Sequence, residues 1–492
     1  MIVLNSSFSQ IFALVFLVIY ILFFIYTLIR ILLDTHSTPK TLGYILLVIV
    51  LPGFGMYFYY AFGINYRHMK NTRRGVLSHK LITKEYLKYV TDPTIHLIKK
   101  YPRYLEKYKD IVSFIHKVED ENLDINTYKL LVNGEEKFPE VLKIISTANQ
   151  FIHMEYYDWE NDTSGNQIKD ALIDKLKQGV KVRVMFDDYA SRKIKHNIVR
   201  ELKAAGAEMY PVIIIKLVAF ASRLNHRDHR KLIIVDGYIG FVGGINISDR
   251  YDNSIDTGLF WRDTHVKITG ATVQSMQRHF LVNWNTCQPN KLLPSRELFP
   301  QINAEVEGKN PEFAQVVAGG PIYPLSNIML TYFKLFMSAK EKLYITNPYF
   351  IPSDSILNTI KLAALSGVDV RLLLPEKSDS TIVGFASKFH YAELLQVGVR
   401  IFLYKKGFVH AKTVVVDGDL SVVGTANLDI RSFDLNFEMM SVIYGKKTGE
   451  KLQNIFLEDL KCCREIYYDE WIKQSTLKKL SYATARLISS FL

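Results

Sequence analysis

With 492 residues the chain is long enough for roughly two to four domains. It is 48% hydrophobic and 22% charged, which suits a globular enzyme with an added membrane part, and its formal charge of +12 favours anionic partners, either nucleic acid or an anionic lipid surface. Its three cysteines, Cys287, Cys462 and Cys463, have no metal-ligand spacing and exclude a disulfide framework, so they read as reduced thiols of a cytoplasmic catalytic part.

Residues 8–33 form an apolar run with no charge before Arg30, and residues 42–62 form a second. Each is long enough to span a bilayer as a helix. The first lacks a basic start and a small-residue cleavage site, so it reads as a retained span rather than a signal peptide. A short loop joins the two into a hairpin. Arg67, Lys70, Arg73 and Arg74 follow the second run, whereas the loop region offers only Arg30 and Lys40. The positive-inside rule then places the loop outside and both flanks in the cytoplasm. Residues 71–125 carry charges at helical spacing and read as a helical, membrane-proximal linker.

From residue 126 the pattern changes to alternating strands and helices, with strand patterns at 127–134, 151–159 and 180–188 and helical ones at 136–148 and 166–179. That alternation implies an α/β layered fold. The apolar, basic segment 214–224 suits either an interfacial element at a site mouth or an ordinary core segment. Trp261, Arg262, Asp263 and His265 follow, with the Arg262–Asp263 pair read as structural. A second half, 311–492, mirrors the first, 126–310. Gly367 to Arg371 repeats the pattern of Gly179 to Arg183, and Pro348 and Tyr349 fall where the first half has Tyr156 and Tyr157. The chain closes on a basic amphipathic helix suited to an anionic membrane surface.

Two stretches carry the chemistry. Residues 225–246 contain His229, Lys231, Asp236 and Asn246; residues 408–427 contain His410, Lys412, Asp417 and Asn427. One offset relates all four pairs. A single His-x-Lys-x4-Asp is a weak pattern, but two copies in register are a strong one. Each copy reads as a short buried strand ending in an Asp-Gly turn, with a second strand returning Asn to the same area. Two histidines can divide the work, one as nucleophile and one as acid/base. The lysines and asparagines can hold a phosphodiester. Asp236 and Asp417 are expected to orient the imidazoles, as in a triad. Each repeat supplies one histidine, so the repeats have to pair.

This duplicated motif resembles that of the phospholipase D superfamily. Within it the closer resemblance is to bacterial cardiolipin synthases. They are similar in the Pro52-x-x-Gly55-x-x-x-Tyr59 membrane region with Gly63 after it, in Trp261 to His265, and in the run from Asp429 through Arg431 and Asn436 to Glu438, polar residues suited to supporting the site. The resemblance implies two phospholipase D-type α/β repeats packed as a pseudo-twofold pair sharing one active site, behind a two-helix transmembrane hairpin (1–70). It implies joining of two phosphatidylglycerols with release of glycerol through a phosphohistidine, with no cofactor and no metal, in the bacterial cell membrane. His229 is taken as the nucleophile and His410 as acid/base, although the motifs are alike and cannot separate them. A hydrolytic phospholipase D, a transferase using another phospholipid or alcohol, a nuclease and an inactive membrane scaffold are the rival readings. The apolar spans argue against nucleic acid as the partner, and the intact motifs argue against the scaffold. The motifs say nothing of oligomeric state.

Overall fold

The computed structural model describes residues 2–34, 38–63, 70–212, 226–288, 290–302 and 311–489. Arg67 and the segment 214–224 lie outside these residues.

The amino-terminal unit begins with helix α1 (Ile2–Asp34). Among the described residues, its Gln10–Asp34 part is the one helix long and apolar enough to cross a membrane, with hydropathy 2.8. The second apolar run is not one span-length helix. It forms α2 (Thr38–Val50), breaks at Leu51, and resumes as α3 (Pro52–Phe58), followed by a wider helical turn, Tyr59–Gly63. Pro52 has no N–H to give and keeps the residue before it out of the helical region. Leu51 accordingly has φ −131° and ψ 72°. The bend is sharp, because a Cβ on Gly55 would lie 2.5 Å from the Leu47 carbonyl oxygen. In a straight helix those residues would sit about 12 Å apart. The second run packs on α1 through the stacked rings of Phe23 and Tyr60, 5.6 Å apart, and through Tyr59 Oη, which donates to Asp34 at 3.3 Å.

Residues 73–212 and 226–489 form the catalytic unit. Residues 71–125, expected as a linker, are mostly helical, and those from Arg73 onward belong to this body. Ile82 and Tyr86 pack beside Phe280 and Phe299, and Ile111, Val112 and Ile115 beside Phe313 and Ile328. Such burial is worth about 1.5–3 kcal/mol for each large apolar side chain.

The first repeat contributes β1 (Asp124–Val132), β2 (Phe151–Tyr156), β3 (Lys181–Phe186), β4 (Glu208–Pro211), β5 (Lys231–Val235), β6 (Ile239–Gly243) and β7 (Thr264–Gly270). The second contributes β8 (Glu312–Gly319), β9 (Lys342–Thr346), β10 (Asp369–Pro375), β11 (Arg400–Tyr404), β12 (Thr413–Val416), β13 (Leu420–Gly424), β14 (Glu438–Tyr444) and an extra edge strand, β15 (Cys463–Ile466). The spatial order β1-β7-β6-β5-β2-β3-β4 is repeated as β8-β14-β13-β12-β9-β10-β11-β15. The two runs meet where β1 pairs antiparallel with β8, Ile125 opposite Phe313, making one continuous sheet. Strands β5 and β12 are buried along their whole length, as expected of apolar strands covered on both faces. One apolar layer takes Leu232 and Phe280 from the first repeat together with Tyr344, Val415 and Met439 from the second. The strand register corrects one alignment: Trp159 pairs with Ile247 as Phe350 pairs with Leu428, so Tyr349 answers to Asp158 rather than to Tyr157.

Candidate active site

The cleft is built where each repeat hands a short extended segment to the other. The His229 N–H donates to the Phe437 carbonyl at 2.9 Å, and the Phe437 N–H to the Arg227 carbonyl at 2.9 Å. In the mirror arrangement the Phe408 N–H donates to the Phe260 carbonyl at 2.8 Å, and the His410 N–H to the Arg262 carbonyl at 2.7 Å. Each histidine therefore leads a strand of its own repeat while its backbone is registered by the other.

The carboxylates that face the imidazoles are likewise exchanged. His229 Nδ1 lies 2.9 Å from Glu438 Oε1, and His410 Nδ1 lies 2.7 Å from Asp263 Oδ2. Glu438 also accepts a hydrogen bond from Thr425 Oγ1. Arg262, the neighbour read as Asp263's ion-pair partner, instead donates to Asp459 at 2.8 Å. With Nδ1 engaged, Nε2 of each ring is the nitrogen left for substrate.

Asp236 and Asp417 do not orient the histidines. Asp236 accepts the backbone N–H groups of Asn149, Gln150 and Phe151 at 2.8–2.9 Å, and Asp417 those of Lys340, Glu341 and Lys342. Both hold left-handed conformations, φ 50° and 52°, and each is followed by a positive-φ glycine. They are the first residues of tight hairpin turns whose carboxylates pin the start of β2 and β9. A carboxylate consumed by backbone amides at the far end of the strand has nothing left for an imidazole at its beginning.

Lys231 and Lys412 are fully buried, and each ammonium donates to the carbonyl of its own repeat's histidine, Lys231 at 2.7 Å. Lys231 also lies 4.9 Å from the centre of the Tyr157 ring, which meets His229 edge-on at 4.8 Å. Asn246 donates to Tyr251 Oη at 2.6 Å and accepts the Asp158 N–H at 3.3 Å, whereas Asn427 has a buried amide oxygen with no hydrogen-bond partner among the described residues. The two motifs share one field: Lys412 acts on His229, and Lys231 and His229 act on His410. Burial pulls His229 down to about 4 against the opposing pull of Glu438, and holds His410 well below its usual range, with both lysines adding to the effect. Burial also lowers Lys231 to about 7 and Lys412 to about 8, and raises Asp263 to about 6. The cleft thus presents neutral imidazoles and two desolvated ammonium groups, a setting for an anion attacked by nitrogen.

Elsewhere in the catalytic unit Glu119, Glu121 and His279 bring potential metal-ligand atoms within 4.8 Å of one another. There Arg278 donates to Glu121 and Asn327 to Glu119, so a cation and an amide already serve both carboxylates.

In the sequence Asp263 reads as one half of an ion pair and Glu438 only as a supporting polar group. The signal for both is their common place, at the start of the strand that flanks the motif hairpin in each repeat.

A family model described as "Cardiolipin synthase, PLD-like domain" matches residues 141–284 and 332–460. Cardiolipin synthase 2 of Bacillus anthracis is 38% identical over 94% of this chain and 88% of its own. The cardiolipin synthase of Listeria welshimeri is 35% identical over 96% of this chain and 98% of its own. Among solved structures, the phosphatidylserine synthase of Haemophilus influenzae superposes on 78% of this chain and all of its own with a TM-score of 0.59 at 15% identity, a likeness of fold. The matches run through both repeats and both motifs, and on them the chain belongs to the cardiolipin synthase family of phospholipase D-like proteins.

Proposed function

We propose that this protein is a phosphatidyltransferase that joins two phosphatidylglycerols into cardiolipin and releases glycerol. The observation that carries the reading is the reciprocal pairing of His229 with Glu438 and of His410 with Asp263, with two buried lysines between the repeats. The repeats act as a pseudo-twofold pair with one shared site. One imidazole attacks phosphorus through Nε2, forming a P–N bond as the P–O bond to glycerol breaks. The other imidazole, protonated at Nε2 once the anionic phosphate is bound beside it, gives that proton to the departing glycerol. It then takes the proton of a hydroxyl on the second phosphatidylglycerol, whose oxygen displaces the histidine. Glu438 and Asp263 fix the ring tautomers and stabilise the imidazolium that forms. Lys231 and Lys412, with Asn246 and Asn427, hold the phosphoryl oxygens. The amino-terminal apolar helices hold the catalytic unit at a bacterial cell membrane, as a multi-pass anchor with the catalytic part on the cytoplasmic side.

The test is a lipid assay on the detergent-purified protein, with phosphatidylglycerol as sole lipid and a chelator present. Cardiolipin and free glycerol are expected in equal amounts. Phosphatidic acid in place of cardiolipin would make the protein a hydrolase.

A further inference from the structure

The two sides of the cleft share a backbone plan but not a lining. Arg227 stands two residues before His229 on an extended segment, and so on the same face. The equivalent residue before His410 is Phe408. Two residues before Glu438 stands Asn436; two before Asp263 stands Trp261. On the His410 side the rings interlock, with Trp261 4.9 Å from Phe408 and 5.4 Å from His410. On the His229 side the Arg227 guanidinium lies 4.8 Å from the Tyr189 ring centre. Among the described residues, the buried side-chain oxygen of Asn436 has no hydrogen-bond partner.

The charges divide in the same way. Arg250, whose field reaches His410, is paired with Glu160 at 3.1 Å and lies 3.8 Å from Asp158. Its counterpart in the second repeat is Arg431, and there the strand register puts Tyr349 and Ile351 where Asp158 and Glu160 stand. Arg431 shares its field with Asp429 and with Arg227, and both arginines act on Tyr157 beside His229. Carboxylates lie near both arginines: Asp187, which accepts the N–H groups of Tyr189, Ala190 and Asp228, sits in the field of Arg227, and Asp429, which accepts that of Ser432, sits in the field of Arg431.

Resting on the transfer between two phosphatidylglycerols, we propose that Arg227 and Asn436 form the subsite for the acceptor lipid's headgroup. The acceptor brings its own phosphodiester anion, three carbons from the hydroxyl that reacts. The donor phosphate occupies the two lysines, so a second anion nearby is repelled unless a separate cation meets it. On the aromatic side Arg250 is already paired with Glu160. Asn436 Oδ1 accepts from a glycerol hydroxyl. The departing glycerol and the incoming hydroxyl use one place, so the acid/base is the histidine on this side. That makes His229 the acid/base and His410 the residue that forms the P–N bond, the reverse of the expectation from the sequence. His229 protonates glycerol as its P–O bond breaks, then receives the acceptor's proton as the new P–O bond forms and the P–N bond breaks.

The test compares two reactions of the full-length protein: cardiolipin formation, and exchange of labelled glycerol into phosphatidylglycerol, which uses the same histidines with a neutral acceptor. Arg227→Gln is expected to reduce cardiolipin formation at least about tenfold, through a raised KM, and to reduce exchange less than about threefold. Arg227→Lys restores part of the loss, and Asn436→Ala shows the same selective direction. Equal losses in both reactions, or undiminished cardiolipin formation in both Arg227→Gln and Asn436→Ala, overturn the subsite. A wild-type protein that exchanges no glycerol and makes no cardiolipin overturns the underlying reading instead. With phosphatidyl-p-nitrophenol, whose leaving group needs no acid, His229→Ala should release a burst of nitrophenol and His410→Ala should not. The opposite pattern overturns the assignment of roles.

Discussion

Asp236 and Asp263 show how little a residue type says without its neighbours. One carboxylate caps three backbone amides in a turn, and the other faces an imidazole across the join of the repeats. Asp263→Asn and Glu438→Gln are expected to lower kcat by about 10²–10⁴ with little change in Tm, because an amide cannot hold the ring in the required tautomer. Asp236→Asn and Asp417→Asn are expected to do the reverse, costing about 1–3 kcal/mol of stability while turnover per folded molecule stays within about threefold. Thermal unfolding and the lipid assay on the same preparations separate the two classes, and a catalytic collapse of Asp236→Asn with unchanged Tm would refute the division. His229→Ala and His410→Ala should each abolish turnover, since neither repeat holds both groups.

The titrating groups of the cleft also set a pH dependence. Asp263, raised to about 6, must be ionised to accept from His410, so activity rises as pH climbs through about 6. Lys231 and Lys412, lowered to about 7 and about 8, bind phosphate only while protonated, so activity falls as pH climbs past those values. A bell-shaped kcat/KM profile is expected, and a flat one from about pH 5 to about pH 9 would contradict it.

At the scale of elements, the hairpins that carry the motifs are equivalent in path but not in chemistry. Gly244 and Thr425 occupy the same place in the two copies. Thr425 donates to Glu438, whereas a Cβ on Gly244 would overlap the Asp263 carboxylate. Gly244→Ala is therefore expected to displace Asp263 and reduce turnover about as much as Asp263→Asn, with a shift in Tm of only a few degrees. Activity near wild type would mean that the carboxylate relocates without loss. The broken second apolar run belongs to this scale as well. Hydropathy counts apolar residues and finds a span, while Pro52 and Gly55 decide whether those residues form one helix.

For the molecule as a whole, the β1–β8 pairing and the shared apolar layer make the two repeats one folding unit. The catalytic unit is expected to unfold in a single transition followed by near-UV circular dichroism, and Phe241→Ala in the first repeat, worth about 3–5 kcal/mol, should shift the whole transition. Two resolved transitions would show that the repeats fold separately. The exchange of His229 and His410 onto backbone of the opposite repeat gives the same coupling a catalytic meaning, since neither histidine is positioned until both halves have closed.

The sequence by itself determined the duplication, the α/β alternation, the strand–turn geometry of both motifs and which histidines and lysines are the candidates for the site. All of these depend on local pattern: apolar runs, Asp-Gly turns and a constant offset between copies. Only the tertiary structure decided which carboxylates serve the histidines, that residues 73–125 belong to the catalytic body, and that the two sides of the cleft differ. Asp263 and His410 are far apart along the chain, and no spacing rule links them. Their pairing follows from strand order and from the exchange of segments between repeats, quantities that exist only once the sheet has closed.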